Sequence, residues 1–81
     1  MFPTLAYAGM SHLGLNSAAA AAEKGFNVLC FDQDTRLIQQ LKLGNLPIAE
    51  EGLADAISKN SDRIQFSSQA TDLGTRDLIY I

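Results

Sequence analysis

The sequence predicts an α/β fold, a parallel sheet of about four strands with flanking helices. Two observations predict it. Short apolar runs rich in strand-forming residues alternate along the chain with segments of helical period. A glycine-bearing turn, Gly9-Met10-Ser11-His12-Leu13-Gly14, joins the first apolar run to the first helix, and an acid, Asp32, closes the second run.

Each element follows from its residues. Thr4-Leu5-Ala6-Tyr7-Ala8, between Pro3 and Gly9, reads as a strand buried on both faces. Leu13 to Lys24 contains the alanines Ala18 to Ala22, good helix formers whose small side chains let a helix lie close to a sheet. Gly25 is placed to end that helix as its C-terminal cap. Asn27 to Phe31 reads as a second buried strand. Thr35 to Leu43 carries Leu37, Ile38 and Leu41 at helical spacing and stops at Gly44. Pro47 opens a turn, and Glu51 to Lys59 reads as a short helix using Leu53, Ala56 and Ile57. Arg63 to Ser67 alternates polar and apolar residues, as a half-exposed strand does. Ser68 to Gly74 reads as a helical turn and Asp77 to Ile81 as a fourth strand.

The chain has 81 residues and a mass of 8.7 kDa, which is one small domain spanning 1–81. A formal net charge of -3 makes the chain a poor candidate for binding nucleic acid or an anionic membrane, since both need a basic face. Hydrophobic residues make up 47% and charged ones 19%, which excludes a disordered chain. With one Cys and one His, neither an intrachain disulfide nor a zinc site of four thiolate or imidazole ligands can form. Met1 to Ala22 carries no Lys or Arg, and no apolar run approaches the ~20 residues of a membrane helix, so the expected location is the reducing cytoplasm.

The turn has the spacing of a dinucleotide-binding fingerprint with one substitution. Gly9 suits the sharp turn, and Gly14 suits close helix–strand packing. Ser11 stands where the fingerprint's middle glycine would leave room for the pyrophosphate; its hydroxyl can bond to a phosphate and its Cβ can crowd one. The helix opening there offers free N–H groups and a partial positive charge. Asp32, 23 positions after Gly9, suits a carboxylate that accepts hydrogen bonds from the adenosine ribose. Asp32 and Asp34 both repel a 2′-phosphate, so NAD is expected rather than NADP. The candidate cofactor-binding residues are Gly9, Met10, Ser11, His12, Leu13, Gly14, Asp32 and Arg36.

Other residues have plain readings as well. His12 can touch a phosphate or simply face solvent, and Arg36 can reach the adenosine or be a solvated helix residue. Cys30, inside a strand, reads as a small buried hydrophobe. Glu50 and Glu51 are adjacent and cannot face each other as an acid/base pair, so they read as solvated or helix-capping.

The run LAYAGMSHLGLNSAAAAAEKGFNVLCFDQD resembles the amino-terminal segment of the UDP-glucose 6-dehydrogenase (nucleotide-sugar dehydrogenase) family. So does Gly44-Asn45-Leu46-Pro47-Ile48-Ala49-Glu50-Glu51-Gly52-Leu53, which looks like that family's G-x-x-P-I-x-E-P-G-L stretch, and Arg63 to Phe66 falls where its R-x-x-F segment leads into a fourth strand. The likeness runs from about Leu5 to Ile81. It implies a partial Rossmann fold of strand order 3-2-1-4, a truncated NAD-binding domain, with NAD as cofactor. It further implies NAD-dependent oxidation of a sugar-nucleotide alcohol to a carboxylate. The UDP-sugar would be met only through a carboxy-terminal domain that this chain lacks. Gly9, Ser11 and Gly14 fall on the pyrophosphate turn and Asp32 on the ribose acid. Leu37 stands where the family often has a basic residue, with Arg36 beside it; Ala49 replaces a tyrosine and Glu51 a proline. Nothing here matches the family's nucleophilic cysteine or catalytic lysine, so no catalytic residue and no turnover by the chain alone are expected. The edge of the fourth strand invites pairing, and a homo-oligomer is expected through it. Two further classes fit the same turn and acid: a non-enzymatic nucleotide-binding or oligomerisation module, and an S-adenosylmethionine-dependent methyltransferase fragment.

Overall fold

The computed structural model describes residues 3–10, 12–46 and 52–81, with the main chain alone at 12 and 13. The strands are β1 (Thr4–Ala8), β2 (Asn27–Phe31), β3 (Ile64–Ser67) and β4 (Leu78–Tyr80). The helices are α1 (His12–Glu23), α2 (Thr35–Lys42) and α3 (Leu53–Lys59), and a 3-10 helix spans Ala70–Thr75. The sheet has the order β3-β2-β1-β4 and every pair is parallel. This is the predicted fold and order, and it brings β1 and β4 together at the point where the connections change direction.

Glycines set the helix ends. At the end of α1 the Phe26 N–H donates to the Ala21 carbonyl at 3.2 Å and the Gly25 N–H to that of Ala22 at 2.9 Å, with Gly25 at φ +103°. That paired bonding around a left-handed residue is a Schellman cap. Gly44 (φ +86°) repeats it after α2, the Asn45 N–H donating to the Gln40 carbonyl at 2.9 Å. The expected start of α3 at Glu51 lies outside the described residues, as do Ser11 and the turn at Pro47. The helix observed begins at Leu53, after Gly52 in a left-handed conformation that no α-helix contains.

Register assigns the faces. Val28 and Cys30 sit opposite Ile64 and Phe66 on β3 and opposite Leu5 and Tyr7 on β1. These residues meet Leu15, Ala18, Ala22, Ile38 and Leu41 in one apolar cluster beneath the helices. Ala18, Ala19 and Ala22 are buried, so the small side chains of α1 do what their size allows and bring the helix down onto β1 and β2. On the other face Ala6 and Leu29 are also fully buried, and there the 3-10 helix packs against β2.

The fourth strand is shorter than Asp77 to Ile81. Asp77 is spent on register instead. Its N–H donates to the Thr4 carbonyl at 3.0 Å, and its carboxylate accepts from the Thr4 N–H at 2.8 Å.

Candidate functional site

The ligand end of the sheet is built where β1 gives way to α1. Gly9 leaves the strand at φ +102°, a conformation that disfavours any residue with a Cβ. Its N–H donates to the Phe31 carbonyl at 2.7 Å, tying the start of the turn to the end of β2. Gly14, in the first turn of α1, lies directly against the Gly9 carbonyl; a Cβ built there would overlap that oxygen. The turn can close only because both positions lack a side chain.

The next residue carries the site's central contact. The Met10 N–H donates to Asp32 Oδ2 at 2.8 Å, and the Asp34 N–H donates to Asp32 Oδ1 at 2.9 Å. The Asp32 carboxyl thus accepts two main-chain bonds, half-buried at the mouth of the turn, with lone pairs left to accept from a ligand. The Asp32 N–H in turn donates to the Ser67 carbonyl on β3 at 3.2 Å. Met10 contributes its amide to this network and its side chain, 2% exposed, to the core.

The structure thus brings Gly9, Met10, Gly14 and Asp32 together. His12 and Leu13 are the first residues of α1, so their amides belong to its open N-terminal turn. That turn holds no Asp or Glu, which leaves the positive end of the helix dipole uncompensated from within the helix. Ser11 lies outside the described residues. Arg36 is exposed in the first turn of α2.

Asp34 does something the sequence reading missed. Its carboxylate accepts from the Leu37 N–H at 3.1 Å and caps α2. An Asp three residues before an apolar helical stripe is the signal that could have found it.

A cleft of about 270 Å³ opens beside the turn, between β1 and β4, lined by Tyr7, Gly9, Gly14, Ser17 and Tyr80. The rings of Tyr7 and Tyr80 stack there with centroids 5.1 Å apart. Burial, with Tyr80 and Cys30 nearby, raises the Tyr7 hydroxyl above its ordinary value, so it is a neutral donor at physiological pH. A larger cavity, about 770 Å³, lies between α2, α3 and β3 among Leu41, Leu46, Ile57 and Phe66. Neither glycine of the turn nor Asp32 lines it. Lys42, Ser58, Ser61 and Gln65 line it beside those apolar residues, but it stands apart from the glycine turn.

Cys30 is buried on β2, and burial pushes its thiol up to about 12. It stays protonated and cannot serve as a nucleophile. Among the described residues no three His, Cys, Asp or Glu side chains gather to hold a metal ion, and no helix is long and apolar enough to cross a membrane.

Residues 4–81 match the family described as UDP-glucose/GDP-mannose dehydrogenase family, NAD binding domain. The chain is 39% identical over 80 residues to the UDP-glucose 6-dehydrogenase TuaD of Bacillus subtilis (strain 168), covering 95% of this chain and 17% of that protein. It is 34% identical over 76 residues to a UDP-glucose 6-dehydrogenase of Rhizobium meliloti (strain 1021), covering 90% of this chain and again 17% of the relative. Among solved structures, a UDP-glucose dehydrogenase from the hyperthermophilic archaeon Pyrobaculum islandicum superposes with a TM-score of 0.89 over 98% of this chain and 19% of that one, at 24% identity. At that identity the superposition speaks for the fold. The chain spans less than a fifth of the length of these relatives.

Proposed function

This chain belongs to the UDP-glucose/GDP-mannose dehydrogenase family, matching its NAD binding domain over residues 4–81, and on that premise we propose that the turn from Gly9 to Gly14 and the Asp32 carboxylate hold NAD. The observation that carries the reading is the 2.8 Å bond from the Met10 amide to Asp32 Oδ2. It sets a ribose-binding acid against the turn that opens α1, so one extended ligand can meet both. The residues fit the group. A diphosphate needs close main-chain approach and unpaired amides, and α1 carries Gly14 and no acid in its first turn. An adenosine ribose needs a fixed acceptor, and two amides fix Asp32.

Each residue then has a task. Gly9 turns the chain at φ +102° and Gly14 lets α1 start close against β1, so that the helix start faces the diphosphate. The amides of His12 and Leu13 donate to it. Asp32 accepts from the ribose hydroxyls, and its charge with that of Asp34 disfavours a 2′-phosphate. Arg36 stands close enough in sequence to reach the adenosine end. Bound NAD supplies a hydride acceptor; in the longer proteins of this family that chemistry oxidises a sugar-nucleotide alcohol. We assign this chain the NAD-binding part of such a reaction and no turnover of its own, with the UDP-sugar and the groups that act on it held by a further domain. On the 81-residue chain the apolar β4 edge pairs with a second copy.

Calorimetry with NAD tests the reading. The unsubstituted chain binds NAD, and Asp32→Ala removes the binding while the chain stays folded by circular dichroism. No heat at millimolar NAD would overturn it. Sustained NADH formation from UDP-glucose by this chain would overturn the assignment of no turnover.

A further inference from the structure

The Asp32 carboxylate is not the last member of its hydrogen-bond network. Its own N–H is held by the Ser67 carbonyl at 3.2 Å, at the end of β3. Ser67 is 5% exposed, and its hydroxyl is fully engaged. Ser67 Oγ donates to Asp72 Oδ2 at 2.5 Å and accepts from the Gln69 N–H at 3.0 Å. Asp72 in turn donates its N–H to the Gln69 carbonyl at 3.0 Å. A carboxylate on the 3-10 helix is therefore bonded in series, through Ser67, to the acid that faces the glycine turn.

The arrangement has a direction. β3 ends at Ser67, and the chain must then cross the face of the sheet toward β4. Without an anchor, the residues after Ser67 would be free to lift from the end of β2, where Asp32 sits. The Asp72–Ser67 bond is short and half-buried, so little solvent competes for it. It ties the segment after β3 to the strand end that holds the Asp32 N–H.

We propose that Asp72 is a positioning residue for dinucleotide binding: through the Ser67 hydroxyl it holds the end of β3 in place and so keeps the Asp32 carboxylate aimed at the adenosine ribose. The inference rests on the reading that Asp32 takes the ribose of NAD. Asp72 itself touches no ligand in this scheme, and its acceptor oxygen matters rather than its charge.

The test uses the 81-residue chain, with NAD and ADP-ribose as probes in calorimetry. Asp72→Ala and Ser67→Ala each weaken both probes by roughly tenfold, the scale of one hydrogen bond. Asp72→Asn keeps an acceptor for the Ser67 hydroxyl and restores affinity to within about twofold of the unsubstituted chain. The double variant is no weaker than either single one, since both remove the same link. All titrations run well below the melting temperature of each variant, so lost stability alone leaves the affinity of the folded fraction unchanged. Asp72→Ala binding both probes as tightly as the unsubstituted chain would overturn the proposal and leave the NAD reading standing. So would Asp72→Asn as weak as Asp72→Ala. An unsubstituted chain that binds neither probe would overturn the NAD reading, and this proposal with it.

Discussion

Gly14 lies against the carbonyl of Gly9 with no room for a single methyl group between them. The contact joins the first turn of α1 to the end of β1, and it explains why a helix can start so near the strand that precedes it. Gly14→Ala must push helix and strand apart. Overpacking of this kind costs about 1–3 kcal/mol, read as a lowered denaturation midpoint in urea. Gly9→Ala has open space around its new Cβ but inherits φ +102°. Its cost is backbone strain of about 1–2 kcal/mol. If Gly14→Ala were as stable as the unsubstituted chain, the close approach would not be a constraint on the fold.

What the sequence made legible here was periodic or local. Alternation of apolar runs with helical stripes placed the strands and helices, and glycines at 25 and 44 marked where α1 and α2 end. Pairing across long separations left no such trace. Thr4 and Asp77 are 73 residues apart, and Glu23 and Asn60 are 37 apart, yet each pair bonds through side chains. The glycine turn and Asp32 were legible as a set because their spacing is a pattern. The Asp72–Ser67 bond was not, because Ser67 closes a strand that alternation does mark while Asp72 lies on a short 3-10 helix that leaves no periodic trace.

Asp34 shows how one acid can carry a second role. It stands near the ligand end by sequence, and its carboxylate also caps α2 through the Leu37 amide at 3.1 Å. Asp34→Ala removes the cap and costs about 1 kcal/mol of stability. Asp34→Ser keeps a capping oxygen and recovers most of it. Thermal melts of both variants check the cap. Equal melting temperatures for the two would show that the Leu37 bond contributes nothing.

Glu23 sits at the end of α1, where Lys59 Nζ donates to Oε1 at 2.9 Å and the amide of Asn60 donates to Oε2 at 2.7 Å. The Lys59 hydrogen bond foremost, then that from Asn60, holds the Glu23 carboxyl below its ordinary 4.5. The folded state thus favours the ionised form. The stabilisation is present in full above the ordinary value and is lost as the pH falls through the lowered one. The Lys59 ammonium is well exposed, so the effect is modest and salt-sensitive. Stability measured from about pH 6 to 3 falls more steeply for the unsubstituted chain than for Glu23→Gln. Parallel curves would remove Glu23 from the acid response.

Burial, which pushes the Cys30 thiol up to about 12, also predicts its chemistry. At pH 8 almost none of it is thiolate, and its position on β2 under the helices denies access to reagent. Iodoacetamide therefore leaves the native chain unmodified over hours and labels it within minutes in guanidinium, as mass spectrometry reads directly. Rapid labelling of the native chain would mean that β2 opens far more often than a central strand should.

Leu78, Ile79 and Tyr80 on β4 are 48%, 45% and 49% exposed, a run of large apolar residues on an edge strand. Only its inner side is paired, to β1. Such an edge offers a row of main-chain donors and acceptors beside side chains that gain by leaving water. Nothing on this strand blunts it, since it holds no Lys, no Pro and no charge between Leu78 and Tyr80. The 81-residue chain is therefore expected to associate as its concentration rises, and sedimentation velocity will show a growing dimer population. Ile79→Lys places a charge on the edge and returns the chain to monomer without disturbing the Thr4–Asp77 bonds that set the strand's register. A monomer at every concentration for the unsubstituted chain would show that edge exposure here does not suffice for pairing.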